Sequence, residues 1–93
     1  MIFSIRDKRL DEIMEGRIPK RFPPHLVAAV ARMVAALVAA KLLDDLRSPP
    51  GNRLEALIGD RRGQHSVRVN AQWRLCFRWT EAGATDVELV DYH

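Results

Sequence analysis

The run Pro49-Pro50-Gly51-Asn52 is a break that regular structure does not cross, and the hydrophobic rhythm of the chain changes on either side of it. Before it, apolar residues recur at helical spacing; after it, they alternate as strands do. Helices first and strands afterwards imply an α+β fold, an antiparallel sheet with its helices gathered on one face. The surrounding loop, residues 46–53, is too short to divide domains, so residues 1–93 read as one domain.

In the first half, residues 1–5 are short, apolar and β-branched enough for a strand. Residues 6–16 predict a helix, with Asp7 as N-cap, Leu10, Ile13 and Met14 at i, i+3 and i+4, and Gly16 as stop. Pro19, Pro23 and Pro24 break the connector that follows. The spacing predicts a second helix over 25–43, with Leu26, Val30, Met33, Leu37 and Leu43 near one face and alanines filling much of the rest. Val27, Val34 and Val38 offer a second apolar strip for a partner. This helix does not span a membrane: Arg32 interrupts it, Lys41 follows, and its apolar runs fall short of the roughly 18–20 residues required.

The second half reads as a meander of four strands, 54–58, 64–70, 73–79 and 86–90, with turn chemistry at 59–63, 70–72 and 81–84. The whole order is β-α-α-β-β-β-β. Trp73, Leu75, Phe77 and Trp79 share one face of their strand, and Arg74, Cys76 and Arg78 the other. His65, Val67 and Val69 oppose Ser66, Arg68 and Asn70 in the same way. A half-buried antiparallel sheet leaves its second face available for function.

A net charge of +3 permits an anionic partner without demanding one. The single cysteine, Cys76, allows neither an internal disulfide nor a thiolate metal cage, and reads as a small packing residue. One cysteine and an N-terminus without the apolar core of a signal peptide fit a cytoplasmic location. The three histidines lack metal-ligand spacing, and His25 and His65 read as structural.

Placement of the arginines says more than their total. Arg68, Arg74 and Arg78 fall on the polar sheet face, with Arg61 and Arg62 at the adjacent turn. Guanidinium forks match phosphate geometry and stay charged at every relevant pH. The final strand runs into Asp91-Tyr92-His93, three side chains that can move protons. Cleavage of RNA by its own 2′-hydroxyl needs a proton acceptor, a proton donor for the 5′-oxygen and cations around the phosphorane. An imidazole such as that of His93 has an unperturbed pKa near working pH. Tyr92 can donate a proton or stack on a base. Glu55 is a second candidate base, and Asp91 is a base or an orienting group for His93. Alternation puts Asp91 and His93 on one side of the strand and Tyr92 on the other, which makes Tyr92 the companion of the arginines and Asp91 their support.

The motifs G-D-R-R-G-Q-H-S-V-R-V-N at 59–70, W-R-L-C-F at 73–77 and D-Y-H at 91–93, with the loop and strand start L-R-S-P-P-G-N-R-L-E at 46–55, resemble the HigB/GraT toxins, the plasmid-maintenance killer branch of the RelE superfamily. The resemblance runs the whole length and is densest from Leu46 onward. It implies a RelE-like fold and a bacterial type II toxin, a ribosome-dependent mRNA endonuclease that uses no metal or other cofactor. It implies as partners a HigA-like helix-turn-helix antitoxin, the ribosome and mRNA, with operator DNA met only through the antitoxin. Tyr92, His93 and Asp91 match the family's C-terminal catalytic motif, Arg74 its W-R arginine and Arg68 another strand arginine. Glu55 stands where some members have histidine, and Ile58 where many relatives have lysine, which implies a changed division of the acid–base work. The alternative is a non-catalytic or attenuated inhibitor acting by protein binding, as ParE-like relatives act on gyrase, or a chain kept to bind its antitoxin.

Overall fold

The computed structural model describes residues 4–91. Two helices, α1 (Lys8–Met14) and α2 (Val27–Ala39), precede four strands: β1 (Glu55–Ala56), β2 (His65–Arg68), β3 (Trp73–Thr80) and β4 (Gly83–Asp91). The strands form one antiparallel sheet in the order β1-β2-β3-β4. The helices pack on each other and on β4, as the switch in periodicity predicts.

The core lies between the helices and one sheet face. Leu10 and Ile13 from α1, Val30, Val34 and Leu37 from α2, and Val67, Leu75, Phe77, Val87 and Leu89 from the strands are buried there. Phe77 is fully enclosed, and its truncation to alanine would cost about 3–5 kcal/mol. Val34 belongs to this core, not to the second apolar strip expected for a partner. Steps of four and three residues from Val30 put Val34 and Leu37 on the inward stripe, and only Val38 of the strip is well exposed.

α2 is shorter than its pattern suggests, and the reason is local. The Asp45 carboxylate accepts from the backbone N–H groups of Lys41 (2.9 Å) and Leu42 (3.0 Å), an arrangement that competes with continued helix. These bonds, Leu42 N–H foremost, also hold the Asp45 carboxyl below its ordinary range. The loop beyond is gathered by Asn52, a buried side chain whose amide donates to the carbonyls of Leu46 (3.1 Å) and Ser48 (3.2 Å).

Of the expected first strand, Met1–Phe3 fall outside the described residues, and Ile5 makes a single parallel bridge to Val87. The segment instead serves as an edge guard. Ser4 accepts from Val87 N–H (3.0 Å) and Arg6 N–H donates to Val87 (2.9 Å). The Asp7 carboxylate then accepts from Leu89 N–H (3.1 Å), and Arg9 donates to the Leu89 carbonyl (2.9 Å). Residues 4–9 therefore satisfy the outer backbone groups of β4, which would otherwise invite another chain.

Asp7 also accepts from Arg9 N–H at 3.0 Å, the N-cap bond of α1. Partial burial alone would raise its carboxyl, but bonds from the Arg9 side chain, Leu89 N–H and Arg9 N–H outweigh that and hold it below the ordinary range. One side chain thus starts the helix and fastens it to the sheet.

Candidate active site

β2 turns into β3 through Asn70, whose side-chain oxygen accepts from the N–H groups of Gln72 (2.9 Å) and Trp73 (2.7 Å). This tight turn places Arg68 directly across from Arg74. Like charges opposite each other on a sheet are destabilising, so the pair makes sense where an anion is to be held.

Arg74 is the most constrained of the arginines. It is only 9% exposed, and its Nε donates to the hydroxyl of Ser66 (2.8 Å), which is itself fully buried. Its Nη2 donates to the Arg53 carbonyl (2.6 Å) and lies 3.0 Å from the Glu55 carboxylate. Arg53 adopts a left-handed backbone (φ 46°), a conformation costing about 1–2 kcal/mol for a residue with a β-carbon. That backbone turns its carbonyl toward Arg74. Arg53, Arg68 and Arg74, with Asn70 and Ala71, line an open cleft of about 390 Å³. Neither Arg53 nor Arg68 has a carboxylate partner among the described residues.

The other expected phosphate binders stand apart. Arg61 donates to Gln64 (3.1 Å) and pairs with Glu88 (2.9 Å), which also attracts Arg6 at 3.6 Å. Arg78 faces Asp86 at 3.9 Å, four residues along β3 from Arg74, or about 13 Å by strand rise. Gly63, at φ 91°, gives Arg78 room: a β-carbon there would meet its Nη1 at 3.1 Å. Arg62 is exposed at the same turn and does not line the cleft. The polar face is also less open than alternation suggests. Ser66, Cys76 and Arg74 are buried; the Arg53 carbonyl accepts from Arg74, and the Arg61 side chain reaches Glu88, the register partner of Cys76.

Glu55, 61% exposed, pairs with Arg74, which lines the cleft. Asp91 pairs across the sheet with Trp73, which puts it on the helix-facing side, away from Arg74. There it accepts from the Gln72 amide (3.1 Å) and attracts Arg9, whose guanidinium lies 5.5 Å over the Trp73 ring. Tyr92 and His93 lie outside the described residues; they follow Asp91 directly in sequence, and Val90, two residues before Tyr92, is the register partner of Arg74. His65 packs on Phe77 with ring centroids 6.3 Å apart, and His25 is exposed at the start of a helical turn. Among the described residues no cluster of metal-ligating side chains occurs.

Sequence reasoning missed two members of the site. Ser66 was visible only as a small residue on the polar face. Arg53 contributes through its backbone, which no residue pattern announces.

Toxin HigB-1 of Vibrio cholerae is 39% identical over 90 residues, covering 96% of this chain and 95% of that protein. Endoribonuclease HigB of Proteus vulgaris is 29% identical over 93 residues and the full length of both. Among solved structures, the YoeB-YefM complex from Staphylococcus aureus matches with a TM-score of 0.62 over 100% of this chain and 97% of that one, at 12% identity, a likeness of fold alone. The family model for the RelE-like toxin of the type II toxin–antitoxin system HigB matches residues 3–93, and the chain belongs to that family of HigB-like toxins.

Proposed function

We propose that this toxin is an endoribonuclease that cuts mRNA on the ribosome, in the cytoplasm, at the cleft between Arg53, Arg68 and Arg74. The observation that carries the reading is Arg74: a buried guanidinium fixed by Ser66 and Arg53 and edging an open, cationic cleft. Preorganised cations of this kind stabilise charge where it develops, with no reorganisation during reaction. The relative named Endoribonuclease HigB supports the same reading.

In the proposed reaction the 2′-hydroxyl of the RNA attacks the adjacent phosphorus. The new 2′-O–P bond forms, the bond to the 5′-oxygen breaks, and a cyclic phosphate and a 5′-hydroxyl result. Glu55 takes the 2′ proton, His93 gives one to the leaving oxygen, and Arg74 with Arg68 carries the charge of the phosphorane. Tyr92 stacks on a base or helps deliver the proton, and Asp91 braces the strand end through Gln72 and Arg9. The steps draw on side chains alone, with no metal. The antitoxin of the pair is of the helix-turn-helix, HigA-like kind.

His93→Ala and Tyr92→Ala should each relieve growth inhibition while leaving the melting temperature unchanged, with cleavage falling about 10²–10⁴-fold for the loss of a proton donor. Mapping mRNA ends with and without ribosomes checks both the activity and its setting. Inhibition undiminished in both folded variants would refute the assignment and point to a protein target.

A further inference from the structure

A second cleft, of about 370 Å³, opens between α2 and the 48–52 loop, and Arg68 lines both it and the Arg74 cleft. Its walls differ from those of the first. Met33 and Ala36 of α2 and Pro49 of the loop supply apolar surface, and Arg32 supplies charge. α2 contains no acidic residue, so nothing on this helix offsets Arg32. Two arginines and no carboxylate therefore line the cleft. An apolar floor beside a cationic wall suits a flat, apolar-faced base attached to a phosphate.

We propose that this groove holds the neighbouring nucleotide of single-stranded RNA, so that the strand runs from the Arg74 cleft past Arg68 to Arg32. The inference rests on the endoribonuclease reading and extends it. Single-stranded nucleic acid is gripped by a positive groove that follows the backbone, together with surfaces on which bases lie. Arg68 is the hinge of the arrangement: at the end of β2 it reaches the phosphate between the two nucleotides, while Arg32 meets the next one. Met33 and Pro49 seat the base. Met33 and Pro49 select by size and stacking.

The test measures binding of 2′-O-methylated RNA, which cannot be cut, to the whole toxin at low and moderate salt, with two- and six-nucleotide oligomers. Arg32→Ala should weaken the hexamer about three- to tenfold at low salt and lower its logarithmic salt dependence by about 0.7, the value for one phosphate on a single strand. The loss should shrink toward nothing as the oligomer shortens to two. Arg32→Glu should weaken the hexamer further, and because Arg32 is exposed both variants should melt with the parent. Arg74→Lys should weaken both lengths. If Arg32→Ala and Arg32→Glu leave the hexamer untouched while Arg74→Lys weakens it, the groove assignment is overturned and the cleavage site stands. If Arg32 variants lose antitoxin binding and keep the hexamer, the groove belongs to the antitoxin and the proposal falls. If the parent binds neither length, the groove falls, while the endoribonuclease reading is decided separately by mapping mRNA ends with and without ribosomes.

Discussion

The two ends of the sheet's polar face carry similar side chains and put them to different use. At one end Arg61 and Arg78 each face a carboxylate, Glu88 and Asp86, in partly exposed ion pairs. At the other, Arg74 is fixed by the Ser66 hydroxyl and the Arg53 carbonyl as well as by the Glu55 carboxylate, and the Arg68 across the strand and the Arg53 beside it have no carboxylate partner among the described residues. Exposed ion pairs contribute about 0–1 kcal/mol to stability and leave little net charge to attract a ligand. Three guanidiniums set against the one carboxylate of Glu55 keep a net positive charge at the cleft. Arginine count therefore does not locate a phosphate site; the partners of each arginine do.

The largest expected effect tests that distinction directly. Arg74→Lys keeps a charge but loses the fork that spans Ser66 and Arg53, and should lower cleavage about 10²–10³-fold. Arg78→Ala should change it by less than about fivefold, since loss of a surface ion pair is worth under about 1 kcal/mol. Cleavage rates of the two variants on the same ribosome-bound message decide the matter. Equal losses would erase the difference between the ends.

Ser66→Ala sharpens the comparison, because it leaves every charge in place. The buried Nε of Arg74 loses its acceptor, at a cost of about 1–3 kcal/mol in unfolding free energy. If the hydroxyl aims the guanidinium, cleavage should fall roughly tenfold, with kcat affected more than KM. A drop in denaturation midpoint with unchanged cleavage would make Ser66 a packing residue only.

How far the sequence foretold this follows from the kind of signal each feature leaves. Alternation through Trp73–Phe77 located the core-facing side of β3, and the motif around Arg74 drew attention to an arginine that is buried and fixed by its neighbours. What escaped was set by backbone and by distant partners. Between Cys76 and Arg78 the ladder slips: β4 spends an extra residue there, with Asp86 at φ 53°. Nothing in the spacing marks that bulge, and it accompanies a fourth strand that begins at Gly83 instead of Asp86. β1 shrinks to Glu55–Ala56, since only those two residues pair with β2. The separation of the arginines was equally hidden, because it depends on Glu88 and Asp86 arriving from another strand.

The smallest expected effect concerns how the strand end is supported. Asp7 ties α1 to β4 two residues before Asp91, and its bonds keep its carboxyl below the ordinary carboxylate value. A group with a depressed folded-state pKa stabilises above its unfolded value, and that contribution fades as pH falls through the folded one. Asp7→Asn keeps a capping oxygen but loses the charge behind the bonds to Arg9 and Leu89, and should therefore cost about 1–2 kcal/mol at neutral pH. The gap to the parent should close progressively below the ordinary carboxylate pKa of 3.8. Denaturant midpoints of both proteins from pH 7 to pH 3 measure it. Because the Arg74 cleft takes nothing from Asp7, RNA affinity should change less than cleavage rate, which depends on where β4 delivers its final residues. An affinity loss matching the rate loss would mean that the two ends of the polar face are mechanically one unit.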